Sequence, residues 1–140
     1  MAVQFHVSIR AKDRTFRLHS NGAGCRRTRA AWSFCDDPDA PAGTWHHWAA
    51  YDIPPNFTGL PERTPSGAKS FKQGINDFGR IGYGGPCPPR GHGPHHYHFR
   101  LIALSAERLQ LHKQPSCLDI AREAHKHILG EPTLVGIYRR

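Results

Sequence analysis

Long apolar runs are missing from this chain of 140 residues. None approaches the roughly 20 consecutive apolar residues that a membrane-spanning helix requires, so a transmembrane segment is excluded on sequence. Leu, Ile, Val and Phe together make up 27 positions, close to the lower composition limit for a folded domain. A basic start followed by an apolar stretch is also lacking, since Met1 to Ile9 carries Gln4 and His6; no secretion signal is read there and the expected location is cytoplasmic. The four cysteines, Cys25, Cys35, Cys87 and Cys117, are widely spaced and form no CxxC pair, and without a secretion signal they read as free thiols.

Other features compensate for the thin aliphatic content. Trp32, Trp45, Trp48 and four tyrosines can each bury a large area. The length fits one domain with a real core. Many glycines and prolines, 14 and 12, together with short apolar runs, favour a loop-rich β protein over a helical bundle. The formal charge of +8 is uneven: residues 1–30 hold seven Lys or Arg against the single acid Asp13. A basic arm can meet nucleic acid or an anionic surface, but no recognised nucleic-acid motif accompanies it. A solvated leader is the plainer reading, and no nucleic-acid partner is expected. Residues 1–32 are accordingly set apart as a basic N-terminal segment, and 33–140 as the domain.

Alternation of Val3, Phe5, Val7 and Ile9 suits a half-buried strand, and SNGAGCRRTRA (20–30) reads as loop. In TWHHWAAYDIP (44–54), a period of two places Trp45, His47, Ala49, Tyr51 and Ile53 on one strand face and His46, Trp48, Ala50 and Asp52 on the other. Residues 54–94 hold most of the glycines and prolines, with Phe57, Phe71, Phe78 and Tyr83 recurring among them; a packed binding loop fits better than a flexible linker. HHYHFRLIAL (95–104) reads as a central strand and TLVGIY (133–138) as a final one. Ser116 to Leu129 is the best helix, capped by Ser116, striped by Ile120, Ala124 and Ile128, and stopped by Gly130.

Two clusters could carry chemistry. DDPDAP (36–41) sits just before Trp45-His46-His47-Trp48. Its prolines fix the backbone around carboxylates that can orient an imidazole or accept from an ammonium group; an Asx-turn entering a strand is the structural alternative. GYGGPCPPRGHGPHHY (82–97) lets backbone amides approach a ligand and form an anion-binding concavity. His95 and Tyr97, two apart on a strand, add a ring N–H and a hydroxyl to the same side. Metal spacings such as HExxH are absent, and so are nucleophile-elbow, Walker and dinucleotide patterns. Neither a metal nor a cofactor is expected. Cys87, between prolines, is the best nucleophile candidate, although packing explains it equally well.

At these clusters the sequence resembles a known family. DDPDAPAGTWHHWAAYDIP, GINDFGRIGYGGPCPPRGHGPHHYHFRLIAL and the terminal LVGIYRR strongly resemble the phosphatidylethanolamine-binding proteins, in particular their bacterial Raf-kinase-inhibitor-like branch. The resemblance implies a mostly β fold: an antiparallel β-sandwich of a large and a small sheet with a C-terminal helix. It also implies a non-enzymatic binding protein with a small pocket for a phosphate-like anion or phosphoethanolamine head group. Such a protein could modulate other proteins and form a homodimer. By motif match the pocket walls would be Asp37, Asp39, Pro41, Trp45, His47, Gly85, Pro89, His95 and Tyr97. An Asp37–His47 pair, with the anion beyond the imidazole, is the arrangement expected from these residues. The segment before DPDAP departs from the family: it looks shortened, with CRRTRAAWSFC in place of a smooth apolar strand, so the N-terminal part of the sheet could be incomplete. A hydrolase using Asp37, His47 and His95 for acid–base work, or a truncated copy without a stable pocket, are the other readings.

Overall fold

The computed structural model describes residues 5–9, 16–20, 30–54, 59–60 and 65–140. The expected loop at 20–30 falls almost wholly outside these residues, as do Cys25 and Phe57. Among the described residues, nine strands and one helix are found. They are β1 (Phe5–Ile9), β2 (Phe16–Ser20), β3 (Ala30–Asp37), β4 (Trp45–Ile53), β5 (Gly59–Leu60), β6 (Lys72–Gln73), β7 (His95–Leu104), helix α1 (Cys117–His125), β8 (Ile128–Gly130) and β9 (Thr133–Tyr138).

The larger sheet runs β6-β4-β3-β7-β8, with β9 also pairing β7, and the smaller runs β1-β2-β5. Every strand pairing is antiparallel. The expected antiparallel large-and-small-sheet architecture with a C-terminal helix is therefore observed, and the larger sheet does not close into a barrel. β7 is central as its apolar run suggests. It pairs with β3 along one side, and along the other with β9 near His95 and β8 near Leu104.

Both faces of the larger sheet are covered. On one, Trp32 and Phe34 of β3, Ala49 and Tyr51 of β4 and Ile102 and Leu104 of β7 pack against Ile120 and Ala124 of α1. On the other, Cys35, Trp48, Ala50, Ile53, Tyr97 and Leu101 pack with Phe71 from the long loop. Trp32 stacks on Tyr51 with ring centroids 5.4 Å apart. These large aromatic areas supply the burial that the sparse aliphatic content cannot.

Two register shifts in the β3–β4 ladder, between Ala31 and Ser33 and between Cys35 and Asp36, break the strict alternation expected for β4. Each inserts an extra β4 residue and so changes which face the next side chain meets. Asp52, at φ 55°, lies in the first irregularity, and Ile53 consequently joins Trp48 and Ala50 rather than Tyr51. The second falls at His46–Trp48 and directs His47 toward Tyr97, at 5.2 Å between rings.

The helix is shorter than expected. Ser116 caps it: its Oγ accepts from the Asp119 N–H at 3.1 Å while its own N–H donates to Asp119 Oδ2 at 3.0 Å, a reciprocal capping box. It ends at His125 rather than near Leu129. Ile128 to Gly130 instead pair with Ala103 and Leu104 of β7, where Ile128 still packs against the core. The edge of β7 offers those residues backbone partners that a further helical turn would forgo.

Candidate functional site

The site forms at the β3–β4 end of the larger sheet, where β3 runs into the DDPDAP turn and β7 begins. Asp37 ends β3 and His95 opens β7, and the two share a face with Tyr97 because β3 and β7 are in register from Ala30–Leu104 to Asp36–His98. His95 Nδ1–H donates to Asp37 Oδ2 at 2.7 Å, with side chains only 2% and 4% exposed. The other carboxylate oxygen, Oδ1, accepts the Asp39 N–H at 3.0 Å. Both oxygens of a buried carboxylate are thus occupied, which is how such a charge is tolerated away from water. His92 Nδ1 lies 2.9 Å from His95 Nε2, extending the chain of polar contacts to the surface.

His47 is held differently from the expected arrangement. Its Nδ1–H donates to the Gly84 carbonyl at 2.8 Å, and Asp37 pairs with His95 instead. A carbonyl only accepts, so this bond fixes the proton on Nδ1 and leaves Nε2 as the second ring position. The β4 bulge explains the change: it moves His47 toward the 74–84 loop, while β3–β7 register brings Asp37 to His95.

That loop is strapped to β4. His46 N–H donates to Asp77 Oδ2 at 2.7 Å, and Asp77, Gly84 and Gly74 N–H groups donate to the carbonyls of His46, His47 and Ala49. The buried Asn76 side chain accepts from the N–H groups of Phe78 and Arg80 and donates to the Gly82 carbonyl at 2.8 Å. Phe78 is thereby set edge-on to both Trp45 and His47, at 5.4 and 5.3 Å. A Cβ at Gly84 would meet the Phe78 ring at 2.5 Å, so the absence of a side chain there permits the close packing.

These residues enclose a cavity of about 190 Å³, lined by Asp37, Ala40, Pro41, Trp45, His47, Phe78, Cys87, Pro88, Pro89 and His95. Six of the nine residues expected at the site therefore line it: Asp37, Pro41, Trp45, His47, Pro89 and His95. Three do not. Asp39 faces outward, where its Oδ2 accepts from His96 N–H and Nδ1–H at 2.8 and 2.7 Å; those bonds hold its carboxyl below the usual range. Gly85 is exposed and outside the lining. Tyr97 is 2% exposed and lies behind the wall, against His47. Phe78 and His92 were not among the expected residues. The aromatics recurring in the long loop were the available signal for Phe78, and nothing in the local sequence singled out His92 from its neighbours.

Two donors here lack partners. Trp45 Nε1–H and the Tyr97 hydroxyl are buried and bonded to nothing. Burial and the adjacent Asp37 carboxylate push the Tyr97 phenol up, so it remains a protonated donor at any physiological pH. Unsatisfied buried donors are costly, by about 1–3 kcal/mol each.

On the opposite face, Asp36 receives His46 Nδ1–H at 2.7 Å and also bonds Arg100, which donates to Glu131 Oε1 at 2.8 Å. The hydrogen bond to Asp36 raises the His46 imidazole above its usual range. This network braces β3, β4, β7 and the turn before β9 beneath the cavity.

The two antiparallel sheets and the small cavity floored by an Asp–His pair define a β-rich protein with an enclosed site at one end of its larger sheet. The chain belongs to the phosphatidylethanolamine-binding protein family, whose sequence model matches residues 3–139. It is 50% identical over 107 residues to a UPF0098 protein of Aquifex aeolicus, covering 75% of this chain and 63% of that one. It is 49% identical over 110 residues to the UPF0098 protein PH1269 of Pyrococcus horikoshii, covering 75% and 54%. The alignments thus span less than two thirds of these relatives' lengths. Among solved structures, Escherichia coli YbcL, described as a new member of the mammalian PEBP family, superposes with a TM-score of 0.77 and 28% identity, covering 90% of this chain and 79% of YbcL. No helix among the described residues is long and apolar enough to cross a membrane.

Proposed function

We propose that this chain is a non-enzymatic binding protein whose cavity takes a phosphate-like anion, with the phosphoethanolamine head group as the fitting ligand, and that it acts by modulating other proteins. The observation that carries the reading is the pair of orphan donors, Trp45 Nε1–H and Tyr97 O–H, beside the imidazoles of His47 and His95. Oxygen acceptors on a phosphoryl group would complete these two donors. Asp37 does not defeat this reading, because His95 and the Asp39 amide already engage its two oxygens. The volume of about 190 Å³ falls below the roughly 300 Å³ at which drug-sized pockets begin, which favours a head group over a whole lipid. The Trp45 and Phe78 rings, which line the cavity, offer an ammonium group π faces.

Cys35, Cys87 and Cys117 are free thiols, which supports a reducing compartment, the cytoplasm. The hydrolase alternative would route acid–base work through Asp37, His47 and His95, but His95 Nε2 already lies against His92. Turnover of a phosphomonoester that disappears in His47→Ala would favour it over binding. The test of the leading reading is thermal unfolding with and without millimolar O-phosphoethanolamine, using ethanolamine as control. A ligand bound only by the native state stabilises by about 2.7 kcal/mol at 100 times Kd. An upward shift with O-phosphoethanolamine and inorganic phosphate, absent with ethanolamine, is the expected result; equal transitions in all solutions would overturn the reading.

A further inference from the structure

His95 lines the cavity, yet both of its ring nitrogens are already taken. Nδ1–H donates to Asp37 Oδ2 at 2.7 Å, and Nε2 lies 2.9 Å from His92 Nδ1. The Asp37 carboxylate only accepts, so the proton on His95 Nδ1 is fixed and the use of Nε2 depends on His92. Two imidazole nitrogens are held 2.9 Å apart by one proton between them. With none, two lone pairs would meet; with two, a pair of N–H groups would. In the neutral pair His92 Nδ1–H therefore donates to the lone pair of His95 Nε2, and His95 has no donor left for an anion.

His92 is built to move while His95 is not. His95 is buried in β7, whereas His92 is exposed and outside the cavity lining. It stands between Gly91 and Gly93, at φ 78° and 88°, and a Cβ on either glycine would meet nothing within 4 Å. Its N–H donates to the Pro89 carbonyl at 3.2 Å, which ties the backbone turn and leaves the ring to swing. The charged and titratable groups around the pair come from every neighbouring element. Asp37 of β3 is bonded to His95, and Asp39, in the turn after β3, is bonded to His96 of β7 and acts on His95 as well. These two carboxylates supply the negative charge that a second proton on the pair would meet. His47 of β4 and the Cys87 thiol share the cavity with His95. Arg140, bonded to Cys87, and Arg90, two residues before His92, are fixed cations. Tyr97 of β7 is pushed up by burial and by Asp37 and stays uncharged.

We propose that His92 is a positioning residue that covers His95 Nε2 and is displaced by a proton, so that the anion binds together with one proton taken from solvent. The inference rests on reading the cavity as an anion site. In the neutral pair the Nε2 lone pair is occupied by His92 and repels an anion. A second proton turns both facing nitrogens into N–H donors, and the contact that held the rings together becomes repulsive. The His92 ring swings into solvent on its two glycines, and the place it vacates opens beside the cavity. A phosphoryl oxygen reaching that place accepts a charge-assisted hydrogen bond from His95 Nε2–H, while Asp37 keeps the ring in place through Nδ1–H. Linkage then makes anion affinity rise as pH falls.

Calorimetric binding of O-phosphoethanolamine is measured on the full chain, on His92→Ala and on His92→Asn, from about pH 5 to about pH 8. Asn places an amide N–H near the position of His92 Nδ1 and takes up no proton, so it keeps the cover closed, whereas Ala removes it. At about pH 8 His92→Ala should bind roughly three- to tenfold more tightly than the parent, the worth of the hydrogen bond its ligand no longer has to break. On acidification the parent should gain on both variants, drawing level with His92→Ala and leaving His92→Asn behind. Protonation of His47 and of the ligand itself is common to all three proteins, so only the differences between their pH profiles are read. Parallel pH profiles for the three, or weaker binding by His92→Ala than by the parent at about pH 8, overturn this inference while leaving the anion site standing. Failure of all three to bind O-phosphoethanolamine at any pH refutes the anion site, and this inference falls with it.

Discussion

Replacing Tyr97 by Phe should make the free protein more stable and the complex weaker. The ring stays, with its edge contact to His47 at 5.2 Å and its place in the core with Cys35, Trp48 and Leu101. Only a buried hydroxyl without a partner is removed. Relief of an unsatisfied buried polar group is worth about 1–3 kcal/mol, and we take about 1 kcal/mol because the neighbouring Asp37 partly offsets the penalty. For a domain of this size that corresponds to a rise of roughly 3–4 °C in Tm. A hydrogen bond to a charged phosphoryl oxygen contributes about 1.5–3 kcal/mol, so Kd should weaken roughly 10- to 150-fold. Differential scanning calorimetry of the free protein and isothermal titration with O-phosphoethanolamine give the two numbers. A variant that is less stable than the parent yet binds with unchanged affinity would refute the reasoning, because the hydroxyl would then be bonded within the protein and idle toward the ligand.

Three further outcomes are expected. Asp37→Asn removes the charged partner of a pair 2% and 4% exposed; breaking a buried pair costs about 3–5 kcal/mol, less here because Asn still accepts a hydrogen bond, and urea denaturation should show a loss of about 1–3 kcal/mol. In NMR titration of that variant the His95 resonances should move and those of His47, bonded to Gly84, should not; the reverse pattern would contradict the observed pairing. Gly84→Ala places a Cβ 2.5 Å from the half-buried Phe78 ring, so the ring should shift, anion affinity should fall, and stability should drop by roughly 1 kcal/mol, at the mild end of overpacking costs. His46 is raised by its hydrogen bond to Asp36, so its contribution to stability is complete below the ordinary His value of about 6.5 and is lost as pH climbs through the higher folded value. Urea midpoints between pH 6 and 9 should therefore decline more in the parent than in His46→Gln, and parallel slopes would argue against the assignment.

Much of the site was legible because strand periodicity is local. The two-residue spacing of His95 and Tyr97 placed both on one face, and the β7, β9 and N-cap residues were readable from alternation and from Ser116. The His47 partner was not legible. A period of two holds only while the ladder is unbroken, and the shift between Cys35 and Asp36 turned His47 toward Gly84 and left Asp37 to His95. The end of α1 failed for a related reason: Ile128 continues the helical stripe, but the free edge of β7 at Ala103 and Leu104 is known only once the sheet is assembled. Tyr97 was placed on the correct face, yet depth was beyond the pattern, which cannot separate a lining residue from one just behind the lining. Phe78 reached the wall through Asn76, whose hydrogen bonds within its own loop have no periodic signature.

The most direct test of the anion site follows the Trp45 indole N–H by ¹H–¹⁵N NMR, assigned with Trp45→Phe, as O-phosphoethanolamine is added. That N–H is buried and unpartnered in the free protein. A ligand oxygen accepting from it should move its resonance downfield and saturably at one equivalent, with inorganic phosphate producing the same change and ethanolamine none. A Trp45 indole resonance that stays in place while O-phosphoethanolamine binds elsewhere, or does not bind at all, would contradict the account.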